Sequence, residues 1–155
     1  MLIRKFKPGE EPELWHLFHD CVHHISTDLY TSEQLLAWSP HRVDIDKWRA
    51  RMRGISPFVV EHERKLIGYA DVQASGYVDH FFVHHQWQRR GVGNLLMQII
   101  VEVAKQDAIE RLFSDVSIAA RPFFERWGFV VECEQRVRIE HEVLKNFRMT
   151  RELVH

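Results

Sequence analysis

Gln88-Arg89-Arg90-Gly91-Val92-Gly93-Asn94 (QRRGVGN) lies between an apolar run ending in Phe81-Phe82-Val83 and another beginning Leu95-Leu96-Met97. Downstream, Val92, Leu95, Leu96, Ile99, Ile100 and Val103 recur at helical spacing, so the stretch reads as the turn from a strand into an amphipathic helix. A helix start exposes backbone N–H groups without intrahelical acceptors and the positive end of the helix dipole. Glycines there remove the side chains that would keep an anion away from those donors. Two readings follow. Gly91 and Gly93 serve the turn alone, or Arg89 through Asn94 cradle a phosphate, with Arg89 and Arg90 adding charge at the rim.

Outward from this stretch the periodicities alternate. Leu2 to Lys7 reads as a strand closed by Pro8-Gly9. Leu14, Trp15, Leu17, Phe18, Cys21, Val22 and Ile25 form a helical stripe from Glu11, with Pro12 in its first turn. Short helices fit Ser32 to Trp38 and Asp44 to Met52, the former capped by Thr31 or Ser32. Phe58 to Val60 and Leu66 to Val72 read as strands joined in a hairpin at Glu63-Arg64, and Tyr77 to Val83 as one continuous strand. After the helix come a strand at Leu112 to Val116 and a helix at Ala119 to Trp127 stopped by Gly128. Strands at Phe129 to Ile139 and Val143 to Thr150 close the order β-α-α-α-β-β-β-α-β-α-β-β, a mixed α/β sheet.

Composition bounds what such a domain does. The 155 residues carry no repeat, low-complexity tract or linker, and are expected to form one domain, residues 1–155. A net charge of -1 supplies no basic field for nucleic acid or a membrane surface. Cys21 and Cys133 stand apart with no CxxC pair, which suits a reducing cytoplasm. No run approaches a membrane span, and the first residues lack the apolar core of a signal peptide.

The pattern Q-x-x-G-x-G after an apolar strand is followed by Ser117, Ala120, Phe123, Phe124, Glu125, Gly128 and Phe129, read as S-x-x-A-x-x-F-F-E-x-x-G-F. These motifs, one helix and one strand apart, resemble the GNAT superfamily of acetyl-CoA-dependent N-acetyltransferases, especially its small stand-alone bacterial members. The element order matches that fold from end to end. The resemblance implies an α/β fold with a mixed, mostly antiparallel sheet, splayed central strands and helices on both faces. It also implies a pyrophosphate of CoA on the backbone N–H groups of Arg89, Arg90, Gly91, Val92, Gly93 and Asn94. The pantetheine arm would pair with Phe81-Phe82-Val83 as an added strand. Ser117 stands where many members carry an Asn that contacts that arm, and equally fits a helix N-cap.

Acetyl transfer to an amine needs a neutral amine, a polarised thioester and a proton for the departing thiolate. A backbone N–H of Val83 or Phe82 suits the second task. Asp79 is the first candidate base, because period-two alternation along one strand puts it on the face of Val83. Its other reading is a hydrogen-bonded structural carboxylate. Asp115 shares parity with Ser117 and is a second candidate for catalysis, with a structural role as its alternative. His80 and His84, on the opposite parity, read as core or surface residues. Many GNAT members carry a tyrosine as proton donor at the position of Phe124. Here water, Tyr69 or no specific acid serves a thiolate whose intrinsic pKa is near ~8.5.

The first two helices and their connection border the acceptor cleft in this fold. Tyr30 and Trp38 therefore either line an amine pocket or pack between short helices. His16, Asp20 and His23, flanked by His19 and His24, read as a solvated helix face, and no metal is expected. Arg51, Arg53, Arg136 and Arg138 read as charged outer faces, and the late strands are where the resemblance allows a homodimer. The expectation is an acetyl-CoA-dependent N-acetyltransferase acting on a small-molecule or peptide amine by direct transfer. Its rival is a non-catalytic acyl-CoA-binding sensor or interaction module on the same fold.

Overall fold

The computed structural model describes residues 1–154. Strand β1 (Leu2–Lys5) precedes three helices, α1 (Glu11–His23), α2 (Ser32–Trp38) and α3 (Ile45–Ile55). Strands β2 (Phe58–His62), β3 (Lys65–Ala70), β4 (Tyr77–Val78) and β5 (Phe81–Val83) follow. A 3-10 turn at His85–Trp87 leads into α4 (Val92–Gln106), and then come β6 (Arg111–Ser117), α5 (Arg121–Arg126), β7 (Val130–Ile139) and β8 (Glu142–Glu152). Local chemistry explains several boundaries. The Thr31 hydroxyl accepts from Gln34 N while the Gln34 side chain accepts from Thr31 N, a capping box that starts α2. The β2–β3 hairpin turns at Glu63 and Arg64, both at positive φ, matching the twist of the strands it joins.

The strands form two four-stranded sheets, β1-β2-β3-β5 and β4-β6-β8-β7. Every pairing is antiparallel except β4 with β6. Helices cover both faces of the first sheet. Val59 faces the cluster built with Leu14, Phe18 and Trp48 of α1 and α3, whereas Val60 faces Val92, Leu96 and Ile100 of α4. Burial on two faces is why β2 and β3 read as apolar runs rather than as alternation. Leu96 and Ile100 are fully buried, and truncating either to Ala costs about 2–5 kcal/mol. No helix among the described residues is long and apolar enough to cross a membrane.

One expectation is corrected. Tyr77 to Val83 is not a continuous strand but two, β4 in one sheet and β5 in the other. The break lies at Asp79-His80, whose N–H groups donate to Asp71 Oδ1 at 2.8 and 2.7 Å. Asp71 N returns a bond to the His80 carbonyl at 3.1 Å. Asp71 is fully buried, so its carboxylate needs those donors, and it draws the backbone out of the ladder. Burial also raises its carboxyl above the ordinary range. Beyond the break the chain changes sheets, and the two sheets splay apart around a cleft.

Candidate active site

On one side of the cleft, a cavity of about 790 Å³ is lined by Val83, Arg89, Gly91, Gly93, Asn94 and Phe123, among others. Gly91 is the N-cap of α4 at φ +89, with no side-chain cap and open space where a Cβ would stand. Any other residue would be strained there, and a long one would project into that space. The first helical bond runs from Leu95 N to Gly91 O at 3.1 Å. The N–H groups of Val92, Gly93 and Asn94 therefore have no acceptor within the helix. Gly93 serves a different need: a Cβ would come within 3.0 Å of the Phe123 ring, so glycine lets α5 approach. The Arg90 guanidinium stacks on Trp87 at 3.9 Å and is not among the lining residues. Val92 is fully buried in the core cluster with Leu96 and Ile100 and does not line the cavity.

The open edge of β5 runs along this cavity. Residues 71/80 and 67/84 are joined by Asp71 N to His80 O and by His84 N to Ile67 O. Tyr69 faces Phe82 in the same register. Antiparallel alternation then turns the N–H and C=O of Phe82 toward β3, and those of Phe81 and Val83 toward the cleft. Of the two amides expected to polarise a thioester, Phe82 is therefore misplaced and Val83 faces the cleft, as does Phe81. The outward Val83 carbonyl accepts from Gln88 Nε2 at 2.8 Å and from the Cys21 thiol at 3.1 Å. Burial pushes the Cys21 thiol up to about 12, so it stays protonated and is a poor nucleophile.

On the other side lies a cavity of about 440 Å³ walled by Trp15, Phe18, Tyr30, Trp38 and Trp48, with Asp79, His80 and Asp115 opposite. The two cavities share Trp38, Phe81, Phe82, Ser117, Ala120 and Phe124 and so meet at the β5 edge. Ser117 accepts from Ala120 N at 3.1 Å, the capping alternative, while still facing both cavities. Phe124 is buried at the junction with its ring 5.5 Å from that of Phe81, and has no hydroxyl to offer. Tyr69 is fully buried and lines neither cavity.

The polar groups of the smaller cavity are tightly partnered. Arg51 of α3 pairs with Asp79 and donates from Nε to His80 Nε2 at 3.1 Å. A guanidinium only donates, so His80 carries its proton on Nδ1 and gives it to the Tyr69 oxygen at 2.9 Å. Burial, then the nearby Arg51 charge, lowers the His80 pKa to about 3, leaving a neutral imidazole that is no base at neutral pH. The expected separation of Asp79 and His80 by strand parity fails, since the break puts both in this cavity. Asp115 accepts from Arg148 Nε at 2.7 Å, Gln135 Nε2 at 2.9 Å and Tyr77 at 3.1 Å. Burial alone would raise its carboxyl, but these bonds outweigh it and hold the group below its usual range. The Tyr30 hydroxyl donates to Lys145 O at 2.6 Å and accepts from Ile118 N at 3.0 Å. It thereby closes the α1–α2 connection over β8.

The pattern of cradle, splayed strands and second motif has a counterpart in known proteins. A family profile described as an acetyltransferase (GNAT) domain matches residues 26–153. The chain belongs to the GNAT acetyltransferases. That family supports acetyl transfer from acetyl-CoA. This GNAT chain is 29% identical over 147 residues to YafP of Escherichia coli K12, an uncharacterized N-acetyltransferase, covering 95% of this chain and 93% of that one. A GCN5-related N-acetyltransferase structure from Rhodopseudomonas palustris, described also as an aminotransferase, class II, superposes with a TM-score of 0.93 at 26% identity, covering 98% and 95% of the two chains. The PaiA N-acetyltransferase of Thermoplasma acidophilum, solved with coenzyme A, shares the fold at a TM-score of 0.76 and 15% identity, with 98% of each chain covered.

Within the GNAT frame, His80 is the core histidine expected, whereas Asp71 was not anticipated at all and Arg51 was expected only as part of a charged outer face. Asp71 had a signal, a carboxylate inside the apolar run Gly68-Tyr69-Ala70-Asp71-Val72 that burial obliges to find partners. Arg51 had none, because its partner lies 28 residues away. The histidine face of α1 is also corrected. His16, Asp20 and His24 are exposed, whereas His19 and His23 turn inward to Ser39 and His41.

Proposed function

We propose that this chain transfers the acetyl group of acetyl-CoA directly to a primary amine of a small molecule or peptide. The observation that carries the proposal is the meeting of the two cavities at the open edge of β5. The larger one offers the helix start for a pyrophosphate and the Val83 and Phe81 edge for a pantetheine arm. The smaller one offers aromatic faces and carboxylates, a suitable environment for an amine that arrives as a cation. Arg89, Gly91, Gly93 and Asn94 hold the diphosphate through backbone donors and charge; Arg90 contributes through its N–H and the local field.

In this reading Asp79 takes the amine proton, directly or through one water, once Arg51, whose side chain is half exposed, yields that oxygen. The amine nitrogen attacks the thioester carbon, whose oxygen is polarised by an outward N–H of the β5 edge. The C–S bond then breaks and the thiolate leaves on CoA, while the nitrogen gives its second proton to solvent water; that same solvent protonates the thiolate, because Phe124 supplies no proton. Asp115 positions the floor of the acceptor cavity rather than exchanging protons, since three donors already occupy it. Tyr30 and Trp38 bound the acceptor.

Free-thiol release from acetyl-CoA across a panel of amines, run beside direct binding of acetyl-CoA, tests the proposal. Amine-dependent thiol release supports it. Binding without turnover on any acceptor assigns the sensor reading, which the missing hydroxyl at Phe124 favours. Absence of binding removes both.

A further inference from the structure

His19 and His23 are one turn apart on α1, and His41 comes from the connection between α2 and α3. One ring nitrogen from each lies within 4.8 Å of the others. The ring centroids are 4.3, 5.2 and 5.4 Å apart in pairs. His19 Nε2 and His41 Nδ1 stand 3.2 Å apart, close to the roughly 3.4 Å that two imidazole nitrogens keep on a tetrahedral zinc with bonds of about 2.0–2.1 Å.

The surroundings set the rings' proton positions. Ser39 is fully buried. Its carbonyl, which can only accept, takes the Nε2 proton of His23 at 2.7 Å. The neutral His23 ring thus keeps its lone pair on Nδ1. The Ser39 hydroxyl lies 2.6 Å from His19 Nδ1. When that hydroxyl accepts, His19 carries its proton on Nδ1 and frees Nε2. A partner that fixes the non-ligating nitrogen is what metal-bound histidines ordinarily have. Trp15 stacks under the His19 ring at 5.4 Å, further limiting its orientation.

We infer that His19, His23 and His41 bind a divalent transition-metal cation of the zinc class, through three neutral imidazole nitrogens with water completing the shell. Three imidazoles without thiolate suit Zn²⁺, Co²⁺, Ni²⁺ or Cu²⁺ rather than Mg²⁺ or Ca²⁺, which prefer oxygen. Binding needs no oxidation or bond cleavage. The ligating tautomer of His19 keeps its proton on Nδ1, which donates to the Ser39 hydroxyl, and His41, which is exposed, turns to close the triangle. The ion would pin α1 to the segment carrying Trp38, which walls both cavities. It lies outside the acetyl-transfer chemistry.

The test uses the full chain free of any histidine tag, stripped with chelator and titrated with Co²⁺, then with Zn²⁺ in competition. One equivalent of Co²⁺ is expected to give visible d–d absorption of a nitrogen-rich, four- or five-coordinate site, displaced by Zn²⁺. His41→Ala, at an exposed position, should weaken the affinity at least roughly tenfold. His23→Ala should do the same, and His62→Ala on β2 should change nothing. Zinc should also raise the unfolding midpoint of the wild type but not of His41→Ala. Failure to take up one equivalent at submillimolar metal, or uptake unchanged in His41→Ala, overturns the inference.

Discussion

The two cavities that meet at β5 are built on different principles. The larger takes its phosphate-facing groups from one short stretch, residues 88–94, and uses mostly backbone N–H groups aimed by the start of α4. The smaller gathers side chains from α1, α2, α3, the β4–β5 break, β6 and the β7–β8 ribbon, and its polar groups are already bound to one another. A site made of backbone tolerates side-chain change everywhere except where a side chain would intrude. A site made of interlocked side chains is altered by almost any substitution. One architecture selects a ligand by its phosphates, the other by shape and charge.

The sharpest way to break this contrast is Gly91→Glu. It puts a strained residue and a negative charge where the diphosphate would rest. Acetyl-CoA binding measured by calorimetry should vanish, a loss of more than about 2.7 kcal/mol or roughly a hundredfold. Gly91→Ala, which adds only backbone strain, should lose less. Retained binding in Gly91→Glu would mean that the diphosphate does not rest at this helix start.

Asp79→Asn should leave acetyl-CoA affinity unchanged and lower kcat by roughly a hundredfold. The acidic limb of the pH–rate profile should move; a profile identical to wild type removes Asp79 as the base. Tyr30→Phe loses both hydroxyl bonds, to Lys145 O and Ile118 N. It should cost about 1–3 kcal/mol in chemical denaturation while sparing acetyl-CoA binding. An unchanged stability would mean that the α1–α2 connection is held by packing alone.

The gentlest effect, because it is spread over several pH units, is a pH dependence. His80 is neutral in the folded protein down to about pH 3, whereas in the unfolded chain it binds a proton below about 6.5. Between those values the unfolded state holds the extra proton, so stability falls as pH is lowered, by at most about 1.4 kcal/mol per unit from this residue. His80→Gln should flatten that part of the stability profile relative to wild type. Parallel profiles would show that His80 takes up its proton over the same pH range in the fold as in the unfolded chain.

The same contrast explains what could be read in the residues. Helix α4, its glycine-bearing start and the second motif are contiguous, so periodicity and spacing exposed them, and the element order followed. The break between β4 and β5 was hidden because its cause, Asp71, lies eight residues before Asp79 and outcompetes strand pairing for two N–H groups. Parity along Tyr77 to Val83 therefore misled the placement of His80, while the choice between the Val83 and Phe82 amides is set by the β3–β5 register. Tyr30 reaches across 115 residues to Lys145, and His41 meets His19 across 22. Such contacts are set by how elements pack and leave no periodic trace.

Backbone amide shifts recorded while acetyl-CoA is titrated into the isotopically labelled chain test the central claim most directly. The largest changes are predicted at Phe81, Val83 and residues 91–94, saturating at one equivalent, with Phe82 moving less. Binding that leaves these amides still, or no binding at all, would contradict it.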